Sequence, residues 1–172
     1  MKKSFTVFLL TILFMTIVVG CGNAGTGVPQ GTATKADQTV AADGHIMQGT
    51  GQLDGNDVEI LRAELTKNHD GQPVLIVSFK WTNNTGEAKA FDGTFFERAF
   101  QNGVLCNKRH NSGIDGYNSD NIMKQIQPGI SLEVQRAYIL GNAITPVEIE
   151  VMSAWNFSKP EPMIIRTFDI AQ

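Results

Sequence analysis

Pro73-Val74-Leu75-Ile76-Val77-Ser78-Phe79-Lys80-Trp81-Thr82 is the stretch that decides the fold. Leu75, Val77, Phe79 and Trp81 fall on one face of it, and Val74, Ile76, Ser78 and Lys80 on the other. A period of two is that of a β-strand, and the first, fully apolar face is the one to lie against a core. Turn chemistry bounds the stretch on both sides. Lys67-Asn68-His69-Asp70-Gly71 precedes it and Asn83-Asn84-Thr85-Gly86 follows it, and Asp-Gly is a strong reversal signal.

The same texture continues outward. Val58 to Leu65 reads as the preceding strand, Ala88 to Phe91 as a short edge segment and Thr94 to Gln101 as an apolar strand. Asn102-Gly103 then makes a tight hairpin into Val104 to Asn107. Lys108 to Asn121 is polar, with Ile114 and Tyr117 its only large apolar anchors, and reads as a long loop. Gln127-Pro128-Gly129 turns the chain into Ser131 to Leu140, where Leu132, Val134, Tyr138 and Leu140 share a face. Pro146 to Met152 sets Val147, Ile149 and Val151 inward against Glu148 and Glu150, and Met163 to Ile170 closes the domain. About seven short strands without any helical stripe predict an all-β fold, an antiparallel β-sandwich over residues 57–172.

The N-terminus reads as an export signal. Lys2 and Lys3 precede an apolar run from Phe5 through Val19, a charged region followed by a hydrophobic one. Roughly 15 residues fall short of the about 20 that a spanning helix needs, which favours a leader over 1–20. Val18-Val19-Gly20-Cys21 resembles the lipobox of bacterial lipoproteins, so Cys21 is the expected lipidation site and its acyl chains the expected membrane anchor. Residues 21–56 are rich in Gly, Thr and Ala with scattered apolar residues, the composition of a flexible tether. The domain would then stand on the outer face of the cytoplasmic membrane, exposed to the cell wall or exterior.

Charge and cysteine usage narrow the partners. Loss of Lys2 and Lys3 with the leader takes the 14 basic residues to 12 against 17 acidic ones, about −5. An acidic surface argues against nucleic acid or anionic lipid as the main partner. With Cys21 acylated, Cys106 is the one thiol left, so the fold must rest on its core without an intrachain disulfide.

A family resemblance rests on specific blocks. They are Gln72 to Asn84, Phe100-Gln101-Asn102-Gly103-Val104, Ile126-Gln127-Pro128-Gly129, Ala137-Tyr138-Ile139-Leu140 and Pro146 to Val151. Together these resemble a family of Gram-positive surface lipoproteins catalogued as domain of unknown function 5067, over nearly all of residues 55 to 170. That family resembles the immunoglobulin-like domains of a mycobacterial secreted antigen and of the lipoproteins named as telomeric-repeat-binding-factor-like. The resemblance implies an immunoglobulin-like sandwich and assigns no activity. The cysteine pair of antibody domains is missing here.

Candidate chemistry is sparse. His45, His69 and His110 show no metal-ligand spacing, and no nucleophile elbow or phosphate-cradling loop is present; no cofactor is predicted. Asp115, Asn118 and Asp120 bring several oxygens together, as a hard cation requires, but depart from the EF-hand pattern, so a turn-forming loop is the simpler reading. Cys106 and His110 could form a thiol–base pair, although a small buried hydrophobe at a strand end accounts for Cys106 more simply. Glu148 and Glu150 are simplest as a solvated face.

Tyr117, Trp155 and Phe157 are the candidate binding residues, against a simpler role in plugging the core. A loop surface joining Tyr117 to Trp155 would suit a non-enzymatic module that meets a protein, peptide or envelope polymer. The alternative is a structural or inhibitory accessory subunit that offers an edge strand such as Ala88 to Phe91.

Overall fold

The computed structural model describes residues 46–110, 113–155 and 162–171. The leader, Cys21, His45 and Phe157 lie outside the described residues. Among those described, every regular element is a strand: β1 (Ile46–Gln48), β2 (Thr50–Leu53), β3 (Asn56–Lys67), β4 (Pro73–Thr82), β5 (Lys89–Ala90), β6 (Phe95–Gln101), β7 (Val104–Leu105), β8 (Asn107–Arg109), β9 (Gln125–Ile126), β10 (Ser131–Ile139), β11 (Val147–Ser153) and β12 (Met163–Phe168). They form two five-stranded sheets, β1-β12-β11-β6-β7 and β2-β3-β4-β10-β8, with β5 and β9 as a separate pair. All neighbours are antiparallel except β1 and β12. The described residues form an all-β, two-sheet sandwich.

Two expectations need correction. Twelve strands replace about seven, because strands as short as Gln125–Ile126 leave no periodic trace. The sandwich also begins inside the stretch read as tether, at Ile46. Edge strands take their order from backbone pairing, so Ile46, Met47 and Leu53 need no apolar period. Gly49 carries the chain between sheets: its amide donates to Ile165 O and its carbonyl accepts from the Ile60 amide, both at 2.8 Å, at a φ of 70° that favours glycine. Ala88 to Phe91 holds an edge position: Lys89–Ala90 pairs on one side with Gln125–Ile126 in a two-stranded sheet, and Phe91 is fully buried.

The core follows the alternation in β4. Leu75, Val77, Phe79 and Trp81 are all buried between the sheets. Phe91 and Phe95 complete an aromatic cluster, with Trp81 edge-on to both at ring-centroid distances of 6.2 and 5.6 Å. The opposite face of β4 is buried as well. Ile114, with Tyr117 beside it, packs on Val74, Ile76 and Ala137 in a second, smaller cluster. The polar stretch after β8 is therefore a cover laid on the outer face of the sheet, which explains the unbroken apolar run Val74–Val77.

The Asn102-Gly103 hairpin joins β6 to β7 with φ of 52° and 73°, left-handed at both central positions as a two-residue turn of this hand requires. A Cβ at Gly103 would meet nothing within 4 Å, so Gly103→Ala adds conformational strain alone. Its expected cost is about 1 to 2 kcal/mol, read as a lower urea midpoint at unchanged slope.

Candidate functional site

The inward face of β10 carries a charge that its alternation foretold and sequence reading passed over. Arg136 sits between Val134 and Tyr138 and is 2% exposed, while Glu97 on β6 is 1% exposed. Arg136 Nε donates to Glu97 Oε1 and a terminal nitrogen donates to Asp92 Oδ1. Lys108 Nζ reaches the same Glu97 oxygen at 2.7 Å. Burial works to lower the Arg136 pKa, but the Glu97 and Asp92 charges outweigh it and raise the pKa overall. This cluster ties the two sheets together.

Tyr138 lies beside it, fully buried, with its hydroxyl unpartnered among the described residues. Burial, then the charge of Glu97, holds its pKa well above the usual tyrosine value. The folded state thus keeps a proton that the unfolded chain has lost, so stability is intact below about pH 10 and falls as pH rises beyond it. Circular dichroism across an alkaline titration should show a steeper loss of stability in this chain than in Tyr138→Phe.

The thiol–base pair finds little support in the contacts. Cys106 is buried, its Sγ points toward Val104 O at 3.9 Å, and burial raises its pKa. A raised thiol pKa disfavours the nucleophilic thiolate. His110 Nδ1 lies 3.4 Å from a terminal nitrogen of Arg136. Nor do the loop oxygens converge: Asn118 Oδ1 accepts from the Asp120 amide at 2.8 Å, and no three His, Cys, Asp or Glu gather as a metal site among the described residues. Glu150 accepts from Arg98 Nε at 2.9 Å on the outer face of its sheet.

Tyr117 and Trp155 are not brought together. Tyr117 is half-buried on the outer face of the β4 sheet, donating its hydroxyl to Arg109 O at 3.3 Å. Arg109 pairs with Ala137, near the C-terminal end of β10. The Gly141 amide just beyond that end bonds Gln101 Oε1, at the close of β6. Trp155 belongs to the other end, past Ser153, which pairs with Phe95 at the start of β6. The joint surface expected of these two residues does not form.

Trp155 stands at a cleft instead. Its side chain is 73% exposed and its indole N–H donates to Gly93 O at 2.7 Å. The adjoining cavity, of about 380 Å³, is lined by Asp54, Asn56, Lys89, Asp92 and Gln125 among others. Asp54, in the β2–β3 turn, accepts the Ser153 hydroxyl. Asn56 is buried, and its Nδ2 donates to Leu53 O and Asp54 O. These residues come from separate turns and strand ends, so only Trp155 had a local signal, an aromatic between strands.

Known proteins add the following. No curated protein matches the chain. Among solved structures, the chain is similar to a candidate lipoprotein (ycdA) from Bacillus subtilis, with a TM-score of 0.54 and 16% identity over 72% of this chain and 39% of that one. It thus spans about two fifths of that protein's length. It is also similar to an uncharacterized β-sandwich protein from Clostridium difficile, with a TM-score of 0.50 and 11% identity over 82% of this chain and 100% of the other. Likeness at these identities speaks to the fold. Residues 32–153, well over half of the sequence, match the family model described as a domain of unknown function (DUF5067), and the protein belongs to that family.

Proposed function

We propose that this chain is a membrane-anchored extracytoplasmic lipoprotein whose sandwich is an immunoglobulin-like, non-enzymatic binding module. The anchor reading rests on Gly20-Cys21 after the apolar run, and the candidate-lipoprotein description of the Bacillus subtilis protein agrees with it. Strand order supports the immunoglobulin-like reading. The series β3-β4-β10-β8 faces β12-β11-β6-β7, and the chain changes sheet after β4, β7 and β10, as immunoglobulin-type connections do.

One observation carries the binding role: a large aromatic, Trp155, held out of the core by its own hydrogen bond at the rim of a cleft. Exposed, rigidly held aromatics are anchors of recognition surfaces. The partner is a protein, peptide or envelope polymer rather than a nucleic acid, given the acidic charge. The test compares the full chain with Trp155→Ala, each shown to be folded, for capture of envelope components. Loss of capture on substitution is expected; equal capture by both removes this surface from consideration. Separately, Cys21→Ser should release the protein from the membrane fraction, and retention there would refute the lipid anchor.

A second reading, that of an accessory acting through an edge strand, gains a new location. Val104 and Leu105 of edge strand β7 are 68% and 58% exposed. Paired apolar side chains on an open edge favour strand addition by another chain, and Val104→Lys should abolish any such association in sedimentation experiments.

A further inference from the structure

We infer that the cleft beside Trp155 binds a neutral saccharide, with one pyranose ring stacked on the indole and its hydroxyls meeting Lys89, Asp92 and Gln125. The inference rests on the reading of this end as the binding surface and names its ligand class.

The indole fixes the first requirement. Its polar edge is already satisfied by Gly93 O, so what it offers a ligand is the π face. A face of negative potential attracts weakly positive C–H groups, and a pyranose ring presents several of these on one side. Rigid placement lowers the ordering cost of such a stack.

The rest of the cleft adds hydrogen-bonding groups to its carbon surface. Beyond Trp155, its lining is carboxylates, amides, hydroxyls and one lysine, with Ala90 and Gly93 contributing little side chain. An amino-acid anchor would need an apolar pocket. A sugar hydroxyl both donates and accepts, which suits a mixed lining. Spare capacity is present too. Lys89 and Gln125 make no side-chain hydrogen bond among the described residues and so keep donors and an acceptor for a ligand.

Charge decides the type of sugar. Asp54 and Asp92 face Lys89, and Asp92 is itself paired with Arg136, so the cleft holds no excess of positive charge to draw an anionic polymer and a neutral ring is the better match. The cavity of about 380 Å³ falls at the small end of ligand sites and fits a short stretch of polymer.

The chain's two tryptophans make the test direct, since Trp81 is fully buried and Trp155 exposed. Full-length protein, in a detergent without a sugar headgroup, is titrated with cellotetraose, maltotetraose and tetra-N-acetylchitotetraose into the millimolar range. At least one should shield Trp155 from acrylamide quenching. By calorimetry, Trp155→Ala should then weaken binding about tenfold or more and Gln125→Ala several-fold, with Tyr117→Ala unchanged. Trp155→Phe, which keeps a π face, covers the case in which the alanine variant misfolds and should retain most of the affinity. Absence of binding by all three sugars, or equal binding by Trp155→Ala, overturns the inference. If the sugars fail while Trp155→Ala still abolishes capture of an envelope component, the saccharide assignment falls and the binding-module reading stands.

Discussion

Truncating Glu97 to alanine should cost the fold about 3 to 5 kcal/mol, as removal of one partner from a buried ion pair does. Arg136 would be left 2% exposed without the carboxylate that its Nε contacts. Lys108 would lose the same oxygen, and Asp92, at the solvent-facing end of the cluster, cannot replace both contacts. The cost arises from stranded charge rather than from the net worth of the pair. Replacing both members, Glu97→Leu with Arg136→Met, should therefore recover most of the loss. Urea unfolding of the two single variants and the double variant gives the coupling directly. A Glu97→Ala loss below about 1 kcal/mol would mean that the cluster is not closed as described.

Trp81→Ala is the second large effect, also about 3 to 5 kcal/mol. The ring is fully buried and edge-on to Phe91 and Phe95, and these two rings lie 5.0 Å apart themselves. Neighbours locked against one another cannot collapse into the space, so the cavity penalty adds to the lost transfer energy. The indole N–H has no partner among the described residues, so no hydrogen bond is lost to blur the comparison. Trp155→Ala serves as the control. That exposed ring should change stability by no more than about 0.5 to 1 kcal/mol, its bond to Gly93 O included.

These two tryptophans also mark how far the sequence could be read. Trp81 falls in a strand whose bounds, Pro73–Thr82, match its turn signals, because alternation is strong where one face is core. The same rule placed Val134 and Tyr138 inward on β10 and equally required Arg136 to point inward. The pairing with Glu97 was hidden because the partner lies on the other sheet, and strand alternation carries no information between sheets. Ile114 and Tyr117 were legible as anchors of a loop, whereas the face they cover depends on a fold-back that composition does not encode. β1 and β2 escaped notice since edge strands need backbone partners more than apolar side chains. The cleft at Trp155 draws Asp54, Lys89 and Gln125 from three distant turns and strand ends, a constellation without a local motif.

The parallel pairing of β1 with β12 has a mechanical consequence. Both strands run the same way, with Ile46, Met47 and Gln48 set against Met163, Ile164 and Ile165. Traction applied at the N-terminal side of β1 and the C-terminal side of β12 slides one along the other. Their hydrogen bonds are then loaded in shear and share the force, where an antiparallel pair held at one end would unzip bond by bond. Beyond them, Gly49 passes the load to Ile60 in the second sheet. A domain held by its N-terminus on a moving surface would resist pulling through this latch before any of its core is strained.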